Sequence, residues 1–186
     1  MKILALQGSP RRQSATHDVL QMVLNAARDA GAETELIDLC DMVYFSGCNQ
    51  CEACQGHLNE PGCVLPDDMQ QILRKALVAD IIIWATPVMN FSPAWPLKMA
   101  MDRMSCMLKP TERGGECVSL LQGHKMAAVI ITGREDGEGA HLVFEMSRHV
   151  AESAKAKWIG ALIAKEAAEK AELLAQAKAF GRQLVA

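Results

Sequence analysis

Four of the seven cysteines fall within sixteen residues, and their spacing is the strongest chemical signal in the chain. Cys48, Cys51 and Cys54 follow a C-x₂-C-x₂-C pattern, and Cys63 comes after a further eight residues. Such spacing lets three thiolates from one loop converge on a point, as they do around iron–sulfur clusters and zinc. The spacing leaves three alternatives open: a 4Fe–4S cluster, a zinc ion, or structural thiols without a metal.

A second candidate site follows the first apolar run, at residues 3–6. The turn after it contains Ser9, Arg11, Ser14 and Thr16, just ahead of a helical pattern. Hydroxyl donors, backbone N–H groups and the positive end of a helix suit a single terminal phosphate. Neither G-x-G-x-x-G nor G-x-x-x-x-G-K-[ST] is present, so a dinucleotide pyrophosphate or a nucleoside triphosphate is unsupported. The alternative is that Ser14 or Thr16 only caps the helix.

The elements that must position these residues alternate between short apolar strands and amphipathic helices. We expect strands at residues 3–6, 33–39, 81–84, 127–132 and 158–163. We expect helices at residues 16–30, 67–78, 94–107 and 140–155, and from about 165 to the end. This alternation predicts an α/β fold with a parallel, doubly wound sheet of five strands. It is interpreted as a single domain over residues 1–186, with a cysteine-rich loop at about 46–66.

Three of the predicted strand ends carry polar or glycine-containing pairs: Gly8-Ser9, Thr86-Pro87 and Thr132-Gly133. In a doubly wound sheet, ligands bind beyond the carboxyl ends of the strands, so these pairs are expected to lie together. The segment around Pro87 and Asn90 is expected to be an irregular loop.

Other polar residues have plainer interpretations. The pair Asp67-Asp68 is expected to cap a helix, and Lys98 and Arg103 are expected on a solvated helix face. The polar stretch 109–123 is too long for a simple connection, and we predict an arm or a lid there.

Composition narrows the function classes further. A formal net charge of −3 and a pI near 6.0 give no electrostatic reason to expect nucleic acid as a partner. No apolar run is long enough to span a membrane, and no export signal is recognisable, so we expect a cytoplasmic protein with no membrane partner. An odd number of cysteines favours thiols or metal ligands over a disulfide framework, and the isolated Cys40, Cys106 and Cys117 are interpreted as ordinary thiols.

The combined motifs resemble a known family. They are Gly-Ser-Pro-Arg from residue 8 with Ser14 and Thr16, Thr-Pro-Val from residue 86 with Leu-Lys-x-x-x-Asp-Arg from residue 97, and Thr-Gly from residue 132. Together they resemble the NADPH-dependent FMN reductase and flavodoxin-like superfamily. With the cysteine motif added, the chain looks most similar to the iron–sulfur flavoprotein branch. The resemblance implies a flavodoxin-like three-layer sandwich with strand order 2-1-3-4-5.

The resemblance also implies FMN as the cofactor and NAD(P)H as the electron donor. The residues that would hold the FMN phosphate are Ser9, Arg11, Ser14, Ala15 and Thr16. Those that would wrap the isoalloxazine, largely through backbone groups, are Pro87, Val88, Met89, Asn90 and Phe91. Those near its far edge would be Thr132, Gly133 and Gly137. No side chain in these motifs is an obvious general base, and hydride transfer between stacked rings does not require one.

By the same resemblance, Cys48, Cys51, Cys54 and Cys63 would ligate a 4Fe–4S cluster. The segment between Cys54 and Cys63 is longer than in the cluster branch, which is a departure from the family pattern. The resemblance further implies a homodimer or a homotetramer, and an acceptor that is a small molecule or a ferredoxin-like carrier.

Three hypotheses of function follow. The first is an FMN-dependent NAD(P)H oxidoreductase that moves electrons through FMN and a 4Fe–4S cluster. The second is a cluster-free NAD(P)H-dependent FMN or quinone reductase with a structural cysteine loop. The third is a flavin electron carrier that takes electrons from ferredoxin.

Overall fold

The computed structural model describes residues 1–44, 46–111, 117–133 and 137–186. Its central sheet contains the parallel strands β1 Lys2–Gln7, β2 Glu33–Asp38, β3 Ile81–Met89, β4 Lys125–Thr132 and β5 Lys157–Lys165. They lie in the spatial order β2-β1-β3-β4-β5. The predicted flavodoxin-like strand order is therefore confirmed.

Five α-helices and three short 3₁₀ turns flank the strands in the part of the chain that the structure describes. The helices are α1 Ala15–Asp29, α2 Met69–Leu77, α3 Trp95–Arg103, α4 Ala140–Ser153 and α5 Lys170–Val185. The 3₁₀ turns are Leu39–Asp41, Ala53–Gly56 and Met104–Met107. Within the described ranges, none of the helices combines the length and apolar character needed to cross a membrane.

Different helices cover the two faces of the sheet. Along β1, Ile3 and Ala5 pack in one core with α1 and α5, whereas Leu4 and Leu6 pack in another with α2 and α3. Helix α4 lies on the α2 and α3 side, where Val143 packs against β4. Because both faces are buried, the strands appear in the sequence as continuous apolar runs, and polar residues gather at the strand ends.

The end of β3 differs from the expectation of an irregular loop. The strand continues through Pro87 to Met89, turns at Asn90 and Phe91, and pairs back antiparallel with the two-residue strand Ser92–Pro93. Asn90 and Phe91 have φ values of 49° and 62°, the left-handed conformation that tight two-residue hairpin turns require. The irregular-loop prediction is therefore wrong, and this region is called the β3 hairpin below.

The start of the last helix was also misplaced. Residues 165–169 have a helix-like composition, yet β5 extends to Lys165 and α5 begins only at Lys170. The backbone N–H of Glu166 donates to the carbonyl of Thr132 at 2.9 Å, which holds the chain against β4 just past β5. A long-range backbone contact thus overrides local helix propensity here.

The polar stretch 109–123 begins and ends in a small antiparallel pair. Leu108–Pro110 pairs with Cys117–Ser119, and the backbone N–H of Leu120 donates to the carbonyl of Met107. The predicted arm or lid includes residues 112–116, which lie outside the described residues, so it stays a prediction.

Candidate active site and cysteine loop

The buried side chain of Gln7 organises the turn after β1. Its Oε1 accepts a hydrogen bond from the backbone N–H of Ser9, and its Nε2 donates to the carbonyl of Arg11 at 3.2 Å. The hydroxyl of Ser9 in turn accepts from the backbone N–H of Arg11 at 3.2 Å. These bonds hold residues 7–11 in a compact turn just before α1.

Ser14 is the N-cap of α1. Its Oγ accepts from the backbone N–H of His17 at 3.2 Å, so the capping alternative is correct as far as it goes. The hydroxyl proton is not used by that bond and points to a second possible role, donation to an anion. The positive end of a fifteen-residue helix lies directly behind it.

A cleft of about 340 Å³ lies between this turn, the β3 hairpin and the end of β4. Its lining residues are Ser9, Pro10, Arg11, Ser14, Ala15, Thr16, Pro87, Val88, Met89, Ile131, Gly133 and Glu166. The fold therefore brings all five residues of the first predicted turn beside three residues of the β3 hairpin.

A second recess, of about 190 Å³, shares Val88 and Gly133 with that cleft. Its lining residues are Val88, Asn90, Phe91, Thr132, Gly133 and Glu138. Gly137 does not line either space; its carbonyl accepts from the backbone N–H of Ala140 at the start of α4. Twelve of the thirteen predicted flavin residues thus line one continuous edge of the sheet.

Two features hold the β3 hairpin together and place helix α3 close to the first turn. The hydroxyl of Thr86 accepts from the backbone N–H of Ala94 and donates to the carbonyl of Pro87, both at 2.9 Å, which closes the base of the hairpin. Gly8 lies so close to α3 that a Cβ there would be 2.5 Å from the Cβ of Leu97. Only glycine allows α3 to approach β1 this closely, so the cleft depends on it.

The rim of the cleft is apolar and exposed. Met89 lines the cleft and Phe91 lines the adjoining recess, and these residues are 48% and 50% exposed. Phe91 packs against Gly139 at the start of α4, where an added Cβ would be 3.0 Å from its ring. These side chains offer a surface on which a planar ring could stack.

The cysteine loop lies on another part of the molecule, between β2 and α2. Cys48 and Cys51 are exposed, whereas Cys54 and Cys63 are half-buried and pack against the core. Across the part of the chain that the structure describes, no three His, Cys, Asp or Glu side chains are arranged to hold a metal ion.

Arg103 lies beneath the loop and is buried, with only 2% of its surface exposed. Its guanidinium forms a bidentate ion pair with Asp67, at 2.8 and 3.0 Å, and donates to the carbonyl of Ser46 at 3.2 Å. The prediction of a solvated Arg103 was therefore wrong, because Asp67 neutralises it inside the fold. Burial works to lower the pKa of Arg103, but hydrogen bonds to Asp67 and Cys63 outweigh it and raise the pKa.

Asp67 does more than the predicted capping. Its Oδ1 accepts from the backbone N–H of Met69 at 3.1 Å while the carboxylate holds Arg103. Asp68 accepts from the backbone N–H of Val43 at 2.8 Å and makes no side-chain capping bond to α2. Lys98 is on the exposed face as expected, paired with Asp102 at 2.6 Å.

Residues 103–109, called the platform below, contact the cysteine loop at several points. The hydroxyl of Ser105 lies 3.5 Å from the Sγ of Cys48. Lys109, only 1% exposed, donates to the carbonyls of Cys54 and Pro61 at 2.9 and 3.0 Å. Burial raises the pKa of Cys106 to about 12, with neighbouring Cys63 and Cys54 acting in the same direction.

A larger cavity, of about 1100 Å³, lies beside the cysteine loop, between it and helices α3 and α4. Four methionines line it together with Cys48, Cys54 and Trp84; they are Met101, Met104, Met126 and Met146. Residues 89–107 contain five methionines, and two of them, Met101 and Met104, line this cavity next to the loop.

The family model for NADPH-dependent FMN reductase matches residues 1–170 of the chain. This match spans the first turn, the β3 hairpin, the cysteine loop and the end of β5. The chain belongs to this family. The family resemblance inferred from the motifs is thus confirmed.

Curated relatives of this chain are named iron–sulfur flavoproteins. An iron–sulfur flavoprotein of Methanocaldococcus jannaschii is 38% identical over 105 residues, which is 55% of this chain and 51% of that protein. Another, from Methanosarcina thermophila, is 33% identical over 103 residues, or 55% of this chain and 52% of that protein. The chain therefore spans about half the length of these curated relatives.

Solved structures similar to this FMN reductase family member support the fold. An NAD(P)H:quinone oxidoreductase from Methanothermobacter marburgensis has a TM-score of 0.71 at 22% identity and covers 99% of this chain and 96% of that one. An FMN-dependent NADH-azoreductase from Bacillus anthracis, in complex with FMN, has a TM-score of 0.68 at 18% identity, with 99% and 97% covered. At this identity the likeness establishes the fold alone.

The cysteine loop fits an iron–sulfur cluster in its donor chemistry and its charge. Four thiols in one loop match the ligand type that such clusters require, and the buried ammonium of Lys109 suits a negatively charged thiolate assembly. Ser105 of the platform lies near the Sγ of Cys48 and Lys109 holds the carbonyl of Cys54, but no three thiols converge among the described residues.

Sequence reasoning missed three residues that shape these sites: Gln7, Glu166 and Lys109. Gln7 is a polar residue at the end of an otherwise apolar strand, which is a usable signal. Glu166 directly follows β5, and its Oε2 would lie 3.4 Å from a Cβ on Gly133. Lys109 had no sequence signal, because its partners are backbone carbonyls far along the chain.

Proposed function

We propose that this chain is an FMN-dependent NAD(P)H oxidoreductase of the iron–sulfur flavoprotein type. It would pass electrons from a reduced donor to an acceptor through FMN and a 4Fe–4S cluster held by Cys48, Cys51, Cys54 and Cys63. The observation that carries the flavin half is the cleft that joins the hydroxyl-rich turn to the β3 hairpin. The family match and the names of the curated relatives support it.

In this proposal the first turn binds the FMN phosphate. Arg11 is exposed where it lines the cleft, and the hydroxyls of Ser9, Ser14 and Thr16 would supply donors. The first backbone N–H groups of α1, from Ala15 onward, add the positive helix end. A single phosphate fits this set, since the turn lacks the glycine pattern that a pyrophosphate needs.

The isoalloxazine would lie against the β3 hairpin and the end of β4. When bound, FMN supplies hydride and single-electron chemistry, and the protein supplies binding, orientation and electrostatics. Pro87 to Phe91 would hold one edge through backbone groups, and Thr132, Gly133 and Gly137 would lie near the other. The exposed Met89 and Phe91 would cover the ring and keep water from part of it.

The second half of the proposal is the cluster. The platform begins where α3 ends, and α3 begins two residues after the β3 hairpin. A nine-residue helix is about 14 Å long, so one short rigid element links the two sites. The cysteine loop leaves the carboxyl end of β2, on the same sheet edge as the flavin turns.

The cluster-free reductase stays as a second candidate because Cys48 and Cys51 are exposed and no three thiols converge among the described residues. Anaerobic purification followed by visible spectroscopy, iron analysis and acid-labile sulfide analysis separates the two. Full FMN with iron and sulfide supports the first proposal. Full FMN with neither, or with zinc alone, leaves the plain flavin or quinone reductase.

The donor, the acceptor and the assembly are also proposals. Addition of NADPH, NADH or reduced ferredoxin to the anaerobic flavin-loaded protein tests whether it is a NAD(P)H oxidoreductase or a ferredoxin-linked carrier. Flavin bleaching by NAD(P)H within the mixing time supports the oxidoreductase, and bleaching by ferredoxin alone supports the carrier. We further propose a cytoplasmic homodimer or homotetramer that delivers electrons to a small molecule or a ferredoxin-like protein.

A further inference from the structure

The segment between Cys54 and Cys63 is held closed by a buried cation. The ammonium of Lys109 donates to the carbonyl of Cys54 at 2.9 Å and to the carbonyl of Pro61 at 3.0 Å. These carbonyls lie at the two ends of the eight-residue segment that departs from the family spacing. One side chain therefore joins both ends of that segment and brings Cys63, two residues past Pro61, back toward Cys54.

The burial of Lys109 makes this contact unusual. The residue is 1% exposed, and among the described residues its ammonium has two carbonyl partners and no carboxylate. A buried ammonium without a counter-charge is costly, so a neighbouring anion would stabilise it. Arg103, by contrast, has its own carboxylate partner in Asp67.

Contacts of Gln70 and His57 hold the same segment near Cys63. Gln70 of α2 donates to the carbonyl of Cys63 at 3.0 Å and to that of Leu65 at 3.1 Å. The ring of His57 packs against Gly62, which leaves no room for a side chain there: a Cβ would be 2.5 Å from the ring. Cys54 and Cys63 are thus positioned by the fold, whereas Cys48 and Cys51 are exposed.

We propose that Lys109 is a positioning residue that preorganises Cys54 and Cys63 as the first half of the metal site and offsets the negative charge of the thiolate-bound group. Cys48 and Cys51 then complete the ligand set when the metal binds. This inference rests on the proposed function, because it assumes that the four cysteines hold a metal. The Lys109 contacts explain how Cys63 can act as the fourth ligand although the segment between Cys54 and Cys63 is longer than in the iron–sulfur flavoprotein branch.

The first test is cobalt titration of this chain in its metal-free, flavin-loaded form, kept anaerobic and with its thiols reduced. Thiolate-to-cobalt charge-transfer absorbance reports the affinity of the site for Co²⁺ without any enzyme assay. Lys109→Met removes the ammonium and leaves two carbonyls unpaired, so we expect at least about a tenfold loss of cobalt affinity. Lys109→Arg keeps the charge and the donors and should restore most of it. Lys178→Met, on the exposed face of α5, is the matched control and should bind cobalt as the wild type does.

The second test separates charge from structure. In variants reconstituted to full iron and sulfide content, the midpoint potential of the cluster should be more negative in Lys109→Gln than in the wild type, because a nearby positive charge is lost. Lys109→Arg should keep the wild-type potential. This test also covers the case in which Lys109→Met fails to fold, since Lys109→Gln keeps a donor amide.

The outcomes are distinguishable. A wild-type protein without a thiolate–cobalt band overturns the metal half of the proposed function and this inference with it. A wild-type band that Lys109→Met leaves at the same affinity overturns the positioning role alone. Equal midpoint potentials in the wild type and Lys109→Gln overturn the charge role.

Discussion

The first-turn cleft and the cysteine loop show two ways of building a site. In the cleft, each polar residue lies at a strand end or a helix start, so local rules of the fold bring the residues together. In the cysteine loop, the ligand candidates share one loop, but their positions depend on Asp67, Arg103 and Lys109. The first site is therefore a property of the fold class, and the second is a property of long-range polar contacts in this chain.

This difference has a thermodynamic side. The hydrogen bonds that shape the first turn of the cleft join residues two to four positions apart. The platform instead carries two buried cations, each held by residues more than thirty positions away. Buried charges are costly when a partner is removed, so the loop should be the more fragile of the two sites.

The largest expected effect is that Cys51→Ala abolishes metal binding at the cysteine loop and leaves flavin binding at the cleft unchanged. If the proposed cluster is present, the variant should lose its visible absorbance, iron and sulfide, and yet keep one FMN per chain, because no residue that lines the flavin cleft or the adjoining recess belongs to the cysteine loop. Cys117→Ala, an exposed cysteine outside the loop, is the control and should keep both groups. A Cys51→Ala protein with its iron and sulfide intact would remove Cys51 from the ligand set.

The next largest effect concerns the buried ion pair. Asp67→Asn leaves the guanidinium of Arg103 uncompensated inside the fold, and we expect the free energy of unfolding to fall by about 3–5 kcal/mol. Asp102→Asn breaks the exposed pair with Lys98 and should cost less than about 1 kcal/mol. Urea denaturation of the two variants measures the contrast, and equal losses would contradict the distinction between the buried and exposed pairs.

The same difference between local rules and long-range contacts separates what the sequence predicted from what it did not. The strand order was what the family resemblance implied. The parallel sheet and the meeting of Ser9, Ser14 and Thr16 with Pro87 followed from alternating apolar runs and from the rule that ligands bind beyond strand ends. Those inferences need only local periodicity and topology.

The residues that escaped prediction are those whose environment is set by distant partners. Arg103 was assigned to solvent because its helix position does not reveal Asp67, which lies thirty-six residues earlier. The β3 hairpin was missed because a two-residue turn at Asn90 and Phe91 lacks the usual glycine. Lys109 could not be identified because backbone carbonyls carry no sequence signature.

A smaller effect is expected on the flavin side. Arg11→Ala with Ser14→Ala removes a charge-assisted and a hydroxyl hydrogen bond from the proposed phosphate site. Each bond to a charged group is worth about 1.5–3 kcal/mol, so FMN affinity should fall at least about tenfold. Arg12→Ala is the control, since Arg12 pairs with Asp41 and does not line the cleft. Fluorescence titration with FMN measures this, and unchanged affinity in the double variant would argue against the phosphate placement.

The smallest expected effect tests the environment of the platform through pH. Burial raises the pKa of Cys106 from 9.0 to about 12. In the folded protein the Cys106 thiol therefore keeps its proton at pH values where the same thiol in the unfolded chain begins to lose it. Below pH 9 both states hold the proton, and the contribution of the neutral thiol to stability is complete. Between pH 9 and 12 the unfolded state releases the proton first, so the free energy of unfolding falls as pH rises, by roughly 1 kcal/mol between pH 9 and 10. Cys106→Ala should show a correspondingly flatter decline than Cys117→Ala in urea denaturation at pH 8, 9 and 10, and identical declines in the two variants would mean that Cys106 titrates as an ordinary exposed thiol.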